Sequence, residues 1–394
     1  MADTVSAVNK FTQMRTEIEQ IPGICQFIVS QQLEDIALYA AEIYEAVQKG
    51  EITRAVLASR GSSQAALGGM YLLEYLGIAV TCLDYTNTSF SPVEPLPYGR
   101  ALGMLVSQSG TSQDSLLAAT AFASDAAKVL VLTNGAKNPL AAYAKKHIEI
   151  AADAWKWLDI AAGEEITVAA TKTVLGTTTL VAAFVGNMLL NSPSHQRRGA
   201  AILEDLANIG EILETVINAQ ANQKLINSLA RVIPRTRAIA VVSRGEGHQI
   251  YSPEAVMKLG EMFGATVKAV DAGDIHHGFL PAIKGNPGYP VFCFVPDYKM
   301  RNDDKIKINV LKAAAAAKQM GGTIVLFGSK KALSGVSAIA DSDHCIVLPD
   351  TASVTVGALS AIAATYTLAE RVALRLKLEP GYPVGMPSKE QNTL

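Results

Sequence analysis

Short apolar runs alternate with amphipathic stretches along most of the chain. The runs have the length of buried strands, and the stretches between them have helical periodicity. Strands separated by helices predict an α/β fold, with parallel sheets that carry helices on both faces. The predicted strands are Arg54–Ser59, Ala79–Leu83, Leu102–Ser107, Val129–Leu132, His147–Ile150, Ala238–Ser243, Thr266–Val270, Val291–Val295, Thr323–Phe327 and Cys345–Leu348.

Helical segments precede, separate and follow the two groups of strands. Residues 4–21 have helical character up to Pro22, and a second helix is predicted from Leu33 to Gln48. Long helices without a strand-like run are predicted from Thr171 to about Val232, and another from Ser353 to Leu378. The pattern therefore predicts a duplicated α/β unit. Its parts are a helical lead-in over 1–30, a first domain over 31–205, a helical linker over 206–232, a second domain over 233–379 and a tail over 380–394.

The amino-acid composition favours a folded globular protein and disfavours a nucleic-acid or membrane partner. With 49% hydrophobic residues, the 394-residue chain has enough apolar side chains for packed cores. The 34 basic and 36 acidic residues nearly cancel, so nothing indicates a nucleic-acid partner. The N-terminus lacks a signal peptide pattern, and Gly186 and Asn187 interrupt the most apolar helix. We therefore expect a cytoplasmic protein without a membrane partner.

The four cysteines are far apart in the sequence and lie in apolar surroundings. They lack the close pairs typical of zinc sites and small disulfide scaffolds. We expect reduced core residues and no metal site.

Two hydroxyl-rich loops follow predicted strands: Ser59-Arg60-Gly61-Ser62-Ser63-Gln64 and Ser107-Gln108-Ser109-Gly110-Thr111-Ser112. Carboxyl ends of parallel strands meet at one edge of a sheet, where open α/β folds bind ligands. Unpaired N–H groups at a helix N-terminus, with small hydroxyl side chains, can surround a phosphate. A single loop of this kind is more often an ordinary helix cap. The pair of loops favours a phosphate site.

These loops, together with Gly163–Lys172 and the lead-in Met14–Pro22, resemble the sugar isomerase (SIS) domain family. The resemblance is to the tandem arrangement of the isomerase half of glucosamine-6-phosphate synthase, and it covers nearly the whole chain. It implies two SIS domains with a flavodoxin- or Rossmann-like three-layer fold, and a homodimer. It also implies that a sugar phosphate is held by Ser62, Ser63, Ser107, Gln108, Ser109 and Ser112, with Val168 and Ala170 lining the sugar.

The second half of the chain matches the acid/base residues of this family. Lys258-Leu259-Gly260-Glu261 matches a Lys-x-x-Glu pair, and His277-Gly278 matches a His-Gly pair 277 − 261 = 16 residues later. The resemblance implies that Glu261 carries a proton between C1 and C2 of the sugar and that His277 opens the sugar ring. It also leaves open that these residues act across a subunit interface. Carboxylate and imidazole groups suit these two tasks. Resemblance also gives Lys389 the role of a Schiff-base lysine.

Each of these residues also has an ordinary structural interpretation. Lys258 and Glu261 have the spacing of a surface ion pair on a helix. A lone His277 is typical of a structural loop, and Lys389 of a solvated terminus. The phosphate loops and the matching spacing together favour the functional interpretation for Lys258, Glu261 and His277, whereas Lys389 remains more typical of a solvated lysine.

The chain departs from the family pattern at several positions. No amidotransferase domain precedes the first predicted domain, and Met1 is not followed by the nucleophilic Cys that such a domain needs. Thr111 replaces an acidic residue, and Phe279 replaces a Pro after the His-Gly pair. We therefore expect a stand-alone isomerase half whose sugar pocket differs.

The leading hypothesis is an enzyme acting on an amino sugar 6-phosphate or a fructosamine 6-phosphate, as an isomerising deaminase or a deglycase. A simple aldose-ketose phosphosugar isomerase is one alternative, and a non-catalytic sugar-phosphate sensor is another. An unrelated Rossmann-like pair is disfavoured because no Gly-x-Gly-x-x-Gly turn follows the first strand. Side chains can perform proton transfer and imine chemistry, so we expect no cofactor.

Overall fold

Two parallel five-stranded sheets, each flanked by helices, make up the protein. The computed structural model describes residues 12–59, 67–82, 100–151, 153–219, 222–297, 303–341 and 344–383. The strand orders are β2-β1-β3-β4-β5 and β10-β9-β8-β6-β7. Read from its other end, the second order repeats the first, with β6 in the place of β1. This architecture confirms the predicted α/β three-layer fold.

Every strand pair within the two sheets is parallel. The strands are β1 Arg54–Ala58, β2 Ala79–Cys82, β3 Ala101–Ser107, β4 Lys128–Thr133, β5 Trp155–Asp159, β6 Ala238–Ser243, β7 Thr266–Asp271, β8 Pro290–Phe294, β9 Thr323–Ser329 and β10 Cys345–Leu348.

Helices of very different lengths connect the strands. The α-helices are α1 Gln13–Gln48, α2 Gln113–Asp125, α3 Pro139–Ile150, α4 Lys172–Leu190, α5 Gln196–Ala207, α6 Ile209–Asn218, α7 Gln223–Thr236, α8 Glu246–Phe263, α9 Leu280–Lys284, α10 Asp303–Gln319 and α11 Val354–Arg375. Leu67–Leu76 and Val336–Ala338 form 3₁₀ helices, and Ile275–Phe279 is a short π-helical turn.

The chain divides into two compact units, each of which holds one sheet. The described residues of Gly23–Glu164 and Thr173–Asn208 form the N-sheet unit, with β1–β5. The described residues up to Pro22, the segment Glu165–Lys172 and the described residues from Ile209 onward form the C-sheet unit, with β6–β10. The domain boundaries predicted from the sequence stay a prediction. The short segment Glu165–Lys172 packs with the C-sheet unit.

Burial along each strand follows its position in the sheet. β3 is buried at every residue because it lies between β1 and β4 and is covered on both faces. β2 alternates exposed and half-buried residues at the sheet edge. In the N-sheet unit, Phe122 on α2 packs with Leu105 and Val129. In the C-sheet unit, side chains of α10 pack on β8 and β9 to form a second core.

The predicted end of the first helix at Pro22 is wrong, and so is the predicted start of a second helix at Leu33. A single helix, α1, runs through Pro22. An interior proline costs a helix about 3 kcal/mol, because it removes a backbone hydrogen bond. Fully buried aliphatic side chains continue on both sides of it, at Ile18, Ile21 and Ile28. Burial of one such aliphatic side chain contributes about 1.5–3 kcal/mol, so together they outweigh the cost.

The predicted strand His147–Ile150 is also wrong, since these residues form the last turn of α3. Asn138 caps this helix by accepting the N–H of Ala141 at 2.8 Å. The His147 ring stacks on Trp155, with centroids 4.8 Å apart. Trp155 instead begins the edge strand β5.

Helix α4 is the one described helix that is long and apolar enough to cross a membrane. Its most apolar window is 94% buried inside the protein, a pattern that core helices share. All four cysteines are free, as predicted. Cys25 and Cys293 are buried, whereas Cys82 and Cys345 are half-buried rather than core residues.

The N-sheet core predicts a large loss of stability on truncation of Phe122. Phe122→Ala removes a fully buried ring, so we expect the free energy of unfolding in urea to fall by about 3–5 kcal/mol. Leu117→Ala, on the same helix but 48% exposed, is the matched control and should lower it by less than about 1 kcal/mol. Equal losses in the two variants would contradict this core assignment.

Candidate functional site

The turn that follows β3 carries four of the predicted phosphate-binding residues. The Ser107 hydroxyl accepts the N–H of Gly110 at 3.2 Å, and the exposed Ser109 hydroxyl lies 2.8 Å from that of Thr111. Ser112 stands at the N-cap position of α2, but its side chain makes no capping hydrogen bond. Because the Ser112 hydroxyl does not cap the helix, the backbone N–H groups at the start of α2 can bind an anion.

Gly110 is required for the shape of this turn. Its φ is +63°, and a Cβ there would lie 1.9 Å from Oδ1 of Asn138. The N–H of Leu140 donates to the Gly110 carbonyl at 3.0 Å. Beside the same turn lies the fully buried Thr133 hydroxyl, which has no hydrogen-bond partner among the described residues. The backbone of the turn is therefore tightly packed, and the Thr133 hydroxyl beside it is unpaired among the described residues.

The predicted site residues are distributed over the two units. Gln108, like Ser107, Ser109 and Ser112, belongs to the N-sheet unit. Val168, Ala170, Lys258, Glu261 and His277 belong to the C-sheet unit. Ser62, Ser63 and Lys389 lie outside the described residues, so their roles stay predictions.

A buried lysine lies at the centre of a polar cluster in the C-sheet unit. The side chain of Lys258 on α8 is 0% exposed. Its ammonium donates to Oε2 of Glu261 at 2.9 Å and to the carbonyl of Ala170 at 2.5 Å. It also lies 3.6 Å from Oε1 of Glu254. Lys258 is therefore not the solvated half of a surface ion pair, because two hydrogen-bond acceptors and a further carboxylate surround it inside the protein.

Glu254 and Tyr366 complete this cluster, and sequence reasoning missed both. The Tyr366 hydroxyl on α11 donates to Oε1 of Glu254 at 2.7 Å. Both side chains are buried. Glu254 precedes Lys258 by one helical turn, so a carboxylate at i−4 on the apolar face was the available signal. No local signal identifies Tyr366, since it lies 112 residues away in the sequence.

Burial and charge shift the pKa values within the cluster. Burial raises the pKa of Glu254 to about 7, although the Lys258 ammonium and the Tyr366 hydroxyl oppose the shift. Burial alone would lower the pKa of Lys258, but the carboxylates of Glu261 and Glu254 outweigh it and raise that pKa. Lys258 therefore stays charged, while Glu254 titrates near neutral pH.

Glu261 and His277 differ from Lys258 in being accessible. The Glu261 side chain is 26% exposed at the end of α8. His277 is exposed in the turn that follows β7. Its backbone N–H donates to the carbonyl of Asp274 at 2.8 Å. Gly278 has a φ of +111°, outside the helical range, so the helical geometry of Ile275–Phe279 is interrupted at this residue. Both predicted acid/base side chains can thus be reached from solvent.

No metal centre is found among the described residues, since no group of three or more His, Cys, Asp or Glu side chains is placed to hold an ion.

The raised pKa of Glu254 predicts a pH-dependent stability. Between pH 4.5 and about 7, the unfolded chain has lost a proton that the folded chain keeps. The free energy of unfolding therefore falls as pH rises through this window, by about 3 kcal/mol. Glu254→Gln should remove this contribution, as measured by denaturant titrations at pH 5 and pH 8. A parallel pH dependence in the two proteins would contradict the prediction.

Comparison with known proteins finds relatives among glutamine–fructose-6-phosphate aminotransferases. No family model matches the chain. A glutamine–fructose-6-phosphate aminotransferase (isomerizing) of Gloeobacter violaceus is 28% identical over 269 residues, which are 67% of this chain and 42% of that protein. The chain spans less than half the length of the curated relatives it matches.

Solved structures share the fold over nearly the whole chain. The C-terminal domain of glucosamine-fructose-6-phosphate aminotransferase from Francisella tularensis has a TM-score of 0.73 at 20% identity, covering 96% of this chain and 100% of that one. Tagatose-6-phosphate ketose/aldose isomerase from Escherichia coli has a TM-score of 0.71 at 15% identity, covering 94% and 95%. The similarity in sequence and fold confirms the predicted resemblance to the SIS family.

Proposed function

We propose that the protein is a phosphosugar-processing enzyme with two SIS domains, one built on each sheet. In this proposal, the turn Ser107–Ser112 holds the phosphate and Glu261 carries the proton. The buried Lys258 is the observation that supports this most directly. A fully buried ammonium is costly unless it has a task or complete pairing, and Lys258 is paired so that it fixes Glu261 beside it.

The proposed substrate is an amino sugar 6-phosphate or a fructosamine 6-phosphate in its open-chain form. With an amino sugar, Glu261 takes the proton from C2 and returns it at C1, which converts the aldehyde and amine into a hydroxymethyl group and a C2 imine. Water adds to the imine, and ammonia leaves the ketose phosphate. With a fructosamine, the proton moves from C1 to C2, and water releases the amine and an aldose phosphate.

The other residues have supporting roles in this proposal. His277 exchanges the proton that opens the sugar ring, because one ring nitrogen of a neutral imidazole accepts a proton while the other donates one. Val168 and Ala170 line the sugar, while Ser62 and Ser63 complete the phosphate site. A homodimer, a cytoplasmic location and a Schiff base at Lys389 stay predictions.

A turnover assay tests this function directly. Purified protein is incubated with glucosamine 6-phosphate and a panel of fructosamine 6-phosphates, and the released amine and hexose phosphate are measured. Glu261→Gln should lower kcat at least about a hundredfold and keep sugar-phosphate binding, since it removes only the proton carrier. Unchanged turnover in Glu261→Gln would overturn the acid/base assignment. Binding without turnover of any substrate in wild type would favour the sensor or another isomerase.

The phosphate turn gives a second expected result. Ser109→Ala combined with Ser112→Ala removes two hydroxyl groups from the turn that is proposed to hold the phosphate. Hydrogen bonds to a charged group contribute about 1.5–3 kcal/mol each, so KM should rise at least about tenfold. Thr120→Ala, farther along α2, serves as the matched control because its hydroxyl donates to the Leu116 carbonyl in its own helix. An unchanged KM in the double variant would place the phosphate elsewhere.

A further inference from the structure

The segment Glu165–Lys172 is held in place by a buried carboxylate of the first helix. Glu17 is 1% exposed. Its Oε1 accepts the N–H of Ile166 at 2.5 Å and the N–H of Thr167 at 3.2 Å. Its Oε2 accepts the Thr167 hydroxyl. Three donors of one short segment thus converge on the single charge of Glu17.

Two further contacts hold the same segment in place within the C-sheet unit. The Lys172 ammonium donates to Oε1 of Gln20 at 2.7 Å, one turn beyond Glu17. The N–H of Ala169 donates to the Gly381 carbonyl at 2.9 Å. Gly381 has a φ of +89°, and a Cβ there would lie 2.6 Å from Thr167. The segment is therefore held by the first helix on one side and by the residues that follow α11 on the other.

The segment is also closed on itself. Oε1 of Glu165, which is 4% exposed, accepts the N–H of Thr171 at 2.6 Å and the N–H of Lys172 at 2.9 Å. These bonds join the first residue of the segment to its last two. The intervening backbone, including the Ala170 carbonyl, consequently has a fixed direction.

That direction matters because Ala170 accepts a hydrogen bond from Lys258 at 2.5 Å. The Lys258 ammonium donates hydrogen bonds to Ala170 and Glu261, and Glu254 lies 3.6 Å away as an ion-pair partner. Glu261 and Glu254 are on the same helix as Lys258. The Ala170 carbonyl is the acceptor from another part of the chain, so it sets where the ammonium lies relative to that helix.

We propose that Glu17 is a positioning residue for the reaction at Glu261. By holding the segment Glu165–Lys172, it directs the Ala170 carbonyl at Lys258, and so it fixes the ammonium that orients Glu261. The activity part of this inference rests on the proposed function; the structural part does not.

Glu17→Gln is the variant that tests the proposal. An amide at this position replaces one acceptor oxygen with a donor, which cannot pair with the N–H and hydroxyl donors of the segment. We expect kcat to fall about ten- to a hundredfold, the size of effect that small misplacement of a reacting group produces. Glu19→Gln is the matched control, because Glu19 lies two residues on in the same helix and pairs with Arg15 instead. Its kcat should stay within about twofold of wild type.

A double-variant cycle asks whether Glu17 acts through Lys258. Lys258→Met removes the ammonium, so adding Glu17→Gln to it should cause little further loss in kcat if the two residues act in one chain of contacts. Losses that multiply would overturn the proposal, since Glu17 would then support activity by another route.

Amide hydrogen exchange gives a readout that needs no substrate. In Glu17→Gln, the amides of Ile166, Thr167 and Ala169 should exchange at least about tenfold faster than in wild type, and in Glu19→Gln they should not. Unchanged exchange would overturn the proposal even where activity falls. If wild type turns over no substrate of the panel, the proposed function fails, and faster exchange at these amides still supports the positioning of the segment by Glu17.

Discussion

The charge of Lys258 imposes the strongest constraint on the C-sheet unit. An ammonium removed from water must find acceptors, and removal of one partner from a buried ion pair typically costs about 3–5 kcal/mol. Glu261 supplies one acceptor from the same helix, and Glu254 adds a second carboxylate 3.6 Å away. The Ala170 carbonyl supplies the other acceptor. The segment Glu165–Lys172 must therefore pack against α8 so that the Ala170 carbonyl lies within hydrogen-bond distance of the Lys258 ammonium.

The pattern of apolar residues along the sequence predicts most of the fold, because the buried strands are themselves continuous apolar runs. β3 and β6 are apolar along their length since each lies inside a parallel sheet, and both were predicted at nearly the observed bounds. The failures occurred where distant contacts decided the outcome. Pro22 ends many helices, but the buried side chains around it keep α1 continuous. His147–Ile150 has strand-like alternation, yet the Asn138 cap and the packing on Trp155 make it helical.

The candidate site was predictable as far as its motifs extend. The loop after β3 and the spacing of Lys258 and Glu261 are visible in the sequence, and the structure describes both. The burial of Lys258 is not visible, because a Lys-x-x-Glu pair is equally typical of an exposed helix face. The contact of Glu17 with Ile166 and that of Tyr366 with Glu254 are not visible either, since each joins residues more than a hundred positions apart. Such contacts depend on the assembled unit and leave no periodic signal.

Glu254 shows how the cluster tolerates so much buried charge. Its Oε1 accepts the Tyr366 hydroxyl, whereas its Oε2 has no hydrogen-bond partner among the described residues. A proton added at Oε2 therefore breaks no existing bond. Because burial raises the pKa of Glu254 to about 7, the carboxyl can be neutral below that pH, when Lys258 and Glu261 balance each other alone. Above it, Glu254 becomes a second anion beside the same ammonium. The cluster can thus change its net charge by one near neutral pH without losing the contacts that fix Lys258.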